Sequence, residues 1–225
     1  MLIVLEGLDG AGKSTQVEKL KKYLSEKCSD MEYIHFPRYD APIYGDLISR
    51  FLRGDFGSLD NVHPQLVALL FAEDRHGAAP LIREKLKEGK TVLLDRYVYS
   101  NIAYQCAKLK NNDEAEALRK WIVDTEFGAF SEPRPDLNIY LNVPIGFVEH
   151  NLTKHRDGDD REYLHGAQDI HESSMEFQKR VQAMYLRQAA EDPSLKVLDC
   201  SDKQGGMADS ETIFSRLKAL VDEVL

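Results

Sequence analysis

Residues Gly7-Leu8-Asp9-Gly10-Ala11-Gly12-Lys13-Ser14 fit the spacing G-x-x-x-x-G-K-[ST], between an apolar run at 2–6 and a helical pattern that continues to about 27. Glycines at this spacing let backbone N–H groups converge on phosphate oxygens at the first turn of a helix, where unpaired donors and the helix dipole favour an anion. Lys13 is then placed to reach the β and γ phosphates, and the Ser14 hydroxyl to ligate Mg²⁺. The expected triphosphate cradle comprises Gly7, Gly10, Ala11, Gly12, Lys13, Ser14 and Thr15. A loop of this kind works only where a buried strand delivers it to a helix, so it commits the chain to strand–helix alternation.

The rest of the sequence keeps to that alternation. Short apolar runs at 2–6, 32–36, 91–95, 137–143 and 195–199 are separated by helical patterns at 42–53, 64–88, 98–110, 113–127, 144–156, 168–190 and 210–224. LIVLE, TVLLD and LNIYLNV are rich in Val, Ile and Leu without strict alternation, as in strands covered on both faces of a parallel sheet. The expected fold is therefore a three-layer α/β/α P-loop NTPase fold with a central parallel five-stranded sheet. At about 150 residues per domain, a chain of 225 reads as a single domain, 1–225, with appendages.

Composition narrows the partners. Apolar residues at 43% and charged residues at 30% are ordinary for a globular chain. The 38 acids and 29 bases leave a formal charge of -9, which argues against nucleic acid as a partner. Cys28, Cys106 and Cys200 are too few and too far apart for a disulfide framework or a Cys-x-x-Cys metal site, which suits a reducing compartment. Glu6 and Asp9 interrupt the N-terminal apolar run too early for a signal peptide, no run approaches the length of a membrane span, and the final Asp-Glu-Val-Leu matches no retention signal. The expected location is cytoplasmic, with no membrane partner.

A second set of residues suits a second anion. Asp95 ends an apolar strand and supplies another carboxylate near the metal. It is followed by Arg96-Tyr97-Val98 rather than Asp-x-x-Gly, and no Asn-Lys-x-Asp occurs, which disfavours a GTPase switch. Phe36-Pro37-Arg38-Tyr39 lies just past a strand end, and Arg38 and Arg96 can each offer a phosphate a bidentate fork. Phe71 and Arg75, four residues apart on one helix, place an aromatic plate beside a donor, as a nucleobase requires. Tyr97, Ser100, Asn101 and Tyr104 form a polar stripe on the next helix.

At these residues the chain resembles the thymidylate kinase family of nucleoside monophosphate kinases. The matching blocks are LEGLDGAGKSTQ at 5–16, FPRY at 36–39, FAEDRH at 71–76, DRYVYSNIAYQ at 95–105 and PDLNIYLNVP at 135–144. The resemblance implies transfer of the γ-phosphate of ATP to dTMP with Mg²⁺, held by Ser14, Asp95 and Asp9, and it implies a homodimer. It implies that Asp9 touches the acceptor's 3′-hydroxyl and that Arg38, Tyr39 and Arg96 hold its phosphate, with Phe36 alongside. Phe71 would stack on thymine, Arg75 bond its O4 and Asn101 read N3 with Ser100 near, while Tyr104 blocks a 2′-hydroxyl. The acceptor region then spans about 36–105.

Transfer also needs cations around the moving phosphoryl group. Position 10 is glycine, where some relatives carry an arginine, so the resemblance shifts that task to a mobile lid at about 150–168 containing Lys154, Arg156 and Arg161. The expected catalytic set is Lys13, Arg96, Arg156, Arg161 and Asp9. Which lid arginine meets phosphate and which meets adenine stays open, as does a metal or lid role for Asp169 and Glu172 at the start of the next helix. His150, His155, His165 and His171 lack the spacing of a helical zinc pair and read as surface residues around the lid, and Cys106 as packing. The alternatives are another P-loop deoxynucleoside or nucleoside monophosphate kinase and a non-catalytic nucleotide-binding module.

Overall fold

The computed structural model describes residues 1–28, 30–59, 61–153, 163–166, 169–172 and 174–225. Five parallel strands, β1 (Leu2–Gly7), β2 (Met31–His35), β3 (Thr91–Asp95), β4 (Leu137–Asn142) and β5 (Leu195–Asp199), form one sheet in the order β2-β3-β1-β4-β5. Every residue of β1 and β3 is buried, as their unbroken apolar runs require, whereas the edge strands β2 and β5 are only partly covered. Register brings Leu5 opposite Asp95 and His35 opposite the same Asp95, so the first, second and third strands deliver their carboxyl ends to one edge. Ligands gather at that edge in open parallel sheets.

Helices cover both faces. α1 (Lys13–Lys27) packs on β1, β2 and β3 and pairs with α8 (Ser210–Asp222). On the other face α3 (Pro64–Lys87), α4 (Val98–Cys106) and α7 (Met175–Glu191) lie side by side, with α5 (Asn112–Val123) against α4. All nine residues of α4 are buried, because it is enclosed by α3, α5, α7 and β1. α2 (Tyr44–Leu52) rests on α3, where Ile48, Phe51, Leu52 and Val67 make a small second core. α6 (Ile145–Thr153) follows β4. Truncating a fully buried residue of the main core, such as Leu93 or Ile139, to alanine costs about 2–5 kcal/mol.

Local chemistry sets the boundaries. Pro64 at the first turn and the His63 ring, which accepts from the Gln65 N–H, start α3, and Gly89 at φ 78° ends it. Asn111, Ser174 and Asp209 cap α5, α7 and α8 with side-chain oxygens. Three helical patterns prove shorter than the sequence suggests. The one from 98 stops at Cys106. The one from 113 changes at Val123 into a single π-helical turn, Asp124–Ala129. The one from 168 begins only at Met175, since Asp169 accepts the His171 N–H in a preceding turn and the Ser174 hydroxyl accepts the Phe177 N–H to cap α7, so Asp169 and Glu172 do not open a helix. Residues 154–162, 167 and 168 of the expected lid, with Lys154, Arg156, Arg161 and His155, lie outside the described residues.

Candidate active site

The donor side is built largely by backbone. Gly10 and Gly12 both adopt φ 73°, the left-handed region that a Cβ disfavours, and the chain turns there between β1 and α1. Gly12 is the N-cap of α1 and offers no side-chain cap, so the first amides of the helix stay available to an anion. Asn151 of α6 donates to the Gly10 carbonyl at 2.8 Å and ties the loop down. Lys13 is buried and paired with Asp95. Burial lowers the lysine's pKa and Asp95 counters it; on Asp95 burial acts upward, but Lys13 and His35 hold the carboxyl below its ordinary value. Around these residues opens a cleft of about 840 Å³, lined by Leu8–Thr15, Tyr33, His35, Asp95 and Arg96, with room for a nucleoside triphosphate.

At the junction of strand ends, Arg96 sits at φ 67°, where its N–H bonds the Leu5 carbonyl at 2.9 Å. That turn aims the side chain back over the P-loop. Its guanidinium donates to Asp9 at 2.6 Å, to the Tyr104 hydroxyl at 3.3 Å and to Ser100 at 3.2 Å, while Tyr104 donates to the other Asp9 oxygen at 2.7 Å. Burial alone would raise Asp9, but Arg96 and the Tyr104 hydroxyl outweigh it and hold the carboxyl low.

The acceptor side is built by side chains. Phe36, Phe71, Arg75, Asn101, Gln105 and His171 line a second cavity, joined there by Asp9, Tyr39, Arg96, Ser100 and Tyr104. Phe71 is half-buried, lines this cavity and meets Phe51 edge-on. The two cavities share Asp9, Pro37, Tyr39, Arg96 and Tyr163. Whatever occupies one therefore abuts whatever occupies the other.

Several expected residues take unexpected places. Arg38 lines neither cavity; its Nε and backbone N–H go to the Asp74 carboxylate, each at 2.9 Å, and its Nη2 to the Asp74 carbonyl. Tyr97 is the N-cap of α4 rather than part of a stripe, and its hydroxyl reaches Pro133. The Ser100 hydroxyl is engaged with Glu6, Tyr185 and Arg96, so it supports the arginine. His171 is not a surface residue. The turn at 169–172, held by the Ile170 N–H on the Leu52 carbonyl, folds its ring among Phe51, Tyr104 and Phe177 at 5% exposure. Burial, then Lys108, keeps that imidazole well below its usual pKa. Cys106 packs in the core as expected.

Sequence reasoning missed the supports. Glu6, fully buried, accepts from the Tyr97 N–H, the Ser100 N–H and hydroxyl and the Tyr185 hydroxyl, and burial raises its pKa. A lone acid inside LIVLE was the available signal. Asp74 beside Arg75, and Tyr163 stacked on Tyr39 with centroids 3.9 Å apart, carried no such mark. Neither did Glu126 of the π turn, which receives both Nε and Nη2 of Arg75 and the amide of Asn101.

Two carboxylates and a hydroxyl line the donor cleft, oxygen groups of the kind that a small hard cation takes. Asp9, Ser14 and Asp95 share the cavity, with Ser14 exposed, yet among the described residues no three His, Cys, Asp or Glu side chains cluster as a ready metal cage. Among the described residues no helix is long and apolar enough to cross a membrane.

Comparison with known proteins agrees with this geometry. The thymidylate kinase family model matches residues 5–209. The chain is 35% identical over 191 residues to the thymidylate kinase of Mycobacterium tuberculosis, covering 85% of this chain and 86% of that one. It is 32% identical over 230 residues to a probable thymidylate kinase of Thermococcus onnurineus, covering 100% and 98%. The solved thymidylate kinase of Candida albicans, described as having broad substrate specificity, superposes with a TM-score of 0.70 at 27% identity, covering 99% of this chain and 91% of that one.

Proposed function

The chain belongs to the thymidylate kinase family and is a dTMP kinase, and we propose that it uses ATP as donor together with Mg²⁺. The observation that carries the assignment is the shared wall of the two cavities, where Arg96 and Asp9 face both. One cavity suits a triphosphate at a helix N-terminus, and the other suits a flat base between an aromatic ring and donors. Their shared wall would let the phosphates of two nucleotides meet end to end.

In this reading the P-loop amides from Gly7 to Thr15 hold the donor phosphates, and Lys13 leaves Asp95 for the β and γ phosphates. Arg96 and Tyr39 hold the acceptor phosphate, while Arg38, oriented by Asp74, stands behind them. Phe36 flanks the acceptor, Phe71 stacks on the base, Arg75 bonds O4 and Asn101 reads N3. Asp9 accepts the 3′-hydroxyl, and Tyr104, held by Asp9, closes the space of a 2′-hydroxyl. Ser14 and Asp95, with Asp9 near, would hold Mg²⁺, which would supply charge neutralisation on the phosphates. Arg156 and Arg161 complete the cations around the moving phosphoryl group, and a homodimer is the assembly expected of the family. Catalysis is then alignment and charge neutralisation, with little covalent work for the protein.

The test is ADP release with ATP and, in turn, dTMP, dUMP, dCMP and thymidine. Turnover highest with dTMP and negligible with thymidine is expected. Preference for the unphosphorylated nucleoside would reassign the chain to the deoxynucleoside kinases, and absence of turnover with every acceptor would leave a binding module.

A further inference from the structure

The Asn101 amide has two ways to face a base, and one residue outside the cavity decides between them. The Asn101 amide nitrogen donates to the Ala68 carbonyl at 2.9 Å and to Glu126 Oε1 at 2.8 Å. Both partners lack a proton to give, since Glu126 is paired through both oxygens with Arg75 Nε and Nη2. Turning the amide over would set its oxygen against two acceptors and strand its N–H groups, so the orientation is forced. Asn101 Oδ1 is left buried without a hydrogen-bond partner, on a residue that lines the acceptor cavity. Arg75 is anchored by the same carboxylate, with Nη1 outside the pairing; burial alone would lower its pKa, but Glu126 holds it above the ordinary value. Glu126 itself is 0% exposed and does not line the cavity. It reaches this place because α5 widens into a π turn there, a distortion frequent at functional sites.

We propose that Glu126 is the positioning residue that sets base selectivity: it fixes Asn101 as an acceptor toward the acceptor cavity and anchors beside it Arg75, which is a donor in any orientation. An acceptor beside a donor complements a pyrimidine with N3–H beside C4=O. It opposes one with a bare N3 beside C4–NH₂, which would meet oxygen with a lone pair and guanidinium with N–H. Discrimination between thymine or uracil and cytosine is thereby made by a carboxylate that touches neither base. This inference rests on the base-reading roles proposed for Arg75 and Asn101.

The experiment is the ratio of kcat/KM for dTMP over dCMP in the native chain and in Glu126→Gln. The carboxamide can donate to Asn101 and lets its amide turn over, so the ratio is expected to fall by roughly tenfold to a hundredfold, as loss of a charged buried hydrogen bond allows. The change should lie in KM for the acceptor, with KM for ATP unmoved. A variant that loses both acceptors in equal proportion, or keeps the native ratio, overturns the inference. A native chain without preference for dTMP overturns the base-reading roles themselves. Should Glu126→Gln fail to fold, hydrogen exchange of the Asn101 side-chain amide in the native protein decides: protection without nucleotide supports the forced orientation, and exchange at the rate of an exposed amide refutes it.

Discussion

The two halves of the proposed site, donor and acceptor, are built by different means. On the donor side, glycines at φ 73° and the uncapped start of α1 present main-chain amides, and few side chains need outside help. On the acceptor side the polar groups that line the cavity lean on second residues: Arg75 and Asn101 on Glu126, Arg96 on Asp9 and Ser100. Backbone recognition is fixed once the loop folds, whereas side-chain recognition lasts only while its supports do. Substitutions should thus be tolerated on the two sides to different degrees.

The largest effect expected touches both halves at once. Arg156→Ala with Arg161→Ala should lower kcat by on the order of 10³ or more, with both substrates still binding; near-normal turnover in a stopped-flow assay would remove the lid from the mechanism. Arg96→Ala should weaken dTMP by about 10², in line with loss of a charge-paired group from a buried site. ATP binding should be spared, and equal loss of both ligands by calorimetry would erase the distinction between the halves. Tyr104→Ala should admit the ribose form of the acceptor, narrowing the preference for dTMP by about tenfold. An unchanged preference would end its role as a steric block.

The effect furthest from the chemistry is on stability. Burial, and then Asp9, push the Asp169 carboxyl from 3.8 up to about 7, so the folded chain keeps a proton that the unfolded chain has lost. Such a group adds stability that is complete below the unfolded value and vanishes as pH rises through the folded one. Urea midpoints should accordingly fall between pH 5 and pH 8, and Asp169→Asn should flatten that fall. An identical slope in the variant would place the titration elsewhere.

The contrast between the halves also explains what could be read in the sequence. The turn at 7–15 between β1 and α1 was legible, because a glycine-rich turn depends on spacing along a few consecutive residues. The five parallel strands were legible for a related reason: a strand buried on both faces must be apolar throughout. Phe71, Arg75, Asn101 and Tyr104 stood out by helical spacing. Their supports did not, since Glu126 lies 51 residues from Arg75 and only the closed fold joins them. His171 misled because the expected helix from 168 starts at Met175, and the turn before it folds inward.

The left-handed backbone at Arg96 carries a consequence for protein engineering. A residue with a Cβ is held there against a preference of about 1–2 kcal/mol, which glycine would relieve. Relief of that strain would partly offset the loss of the bond to Asp9, so a glycine at this codon should yield a folded, inactive chain. Libraries sorted for heat resistance or expression would keep such clones. Selection on this scaffold therefore needs a catalytic readout from the first round.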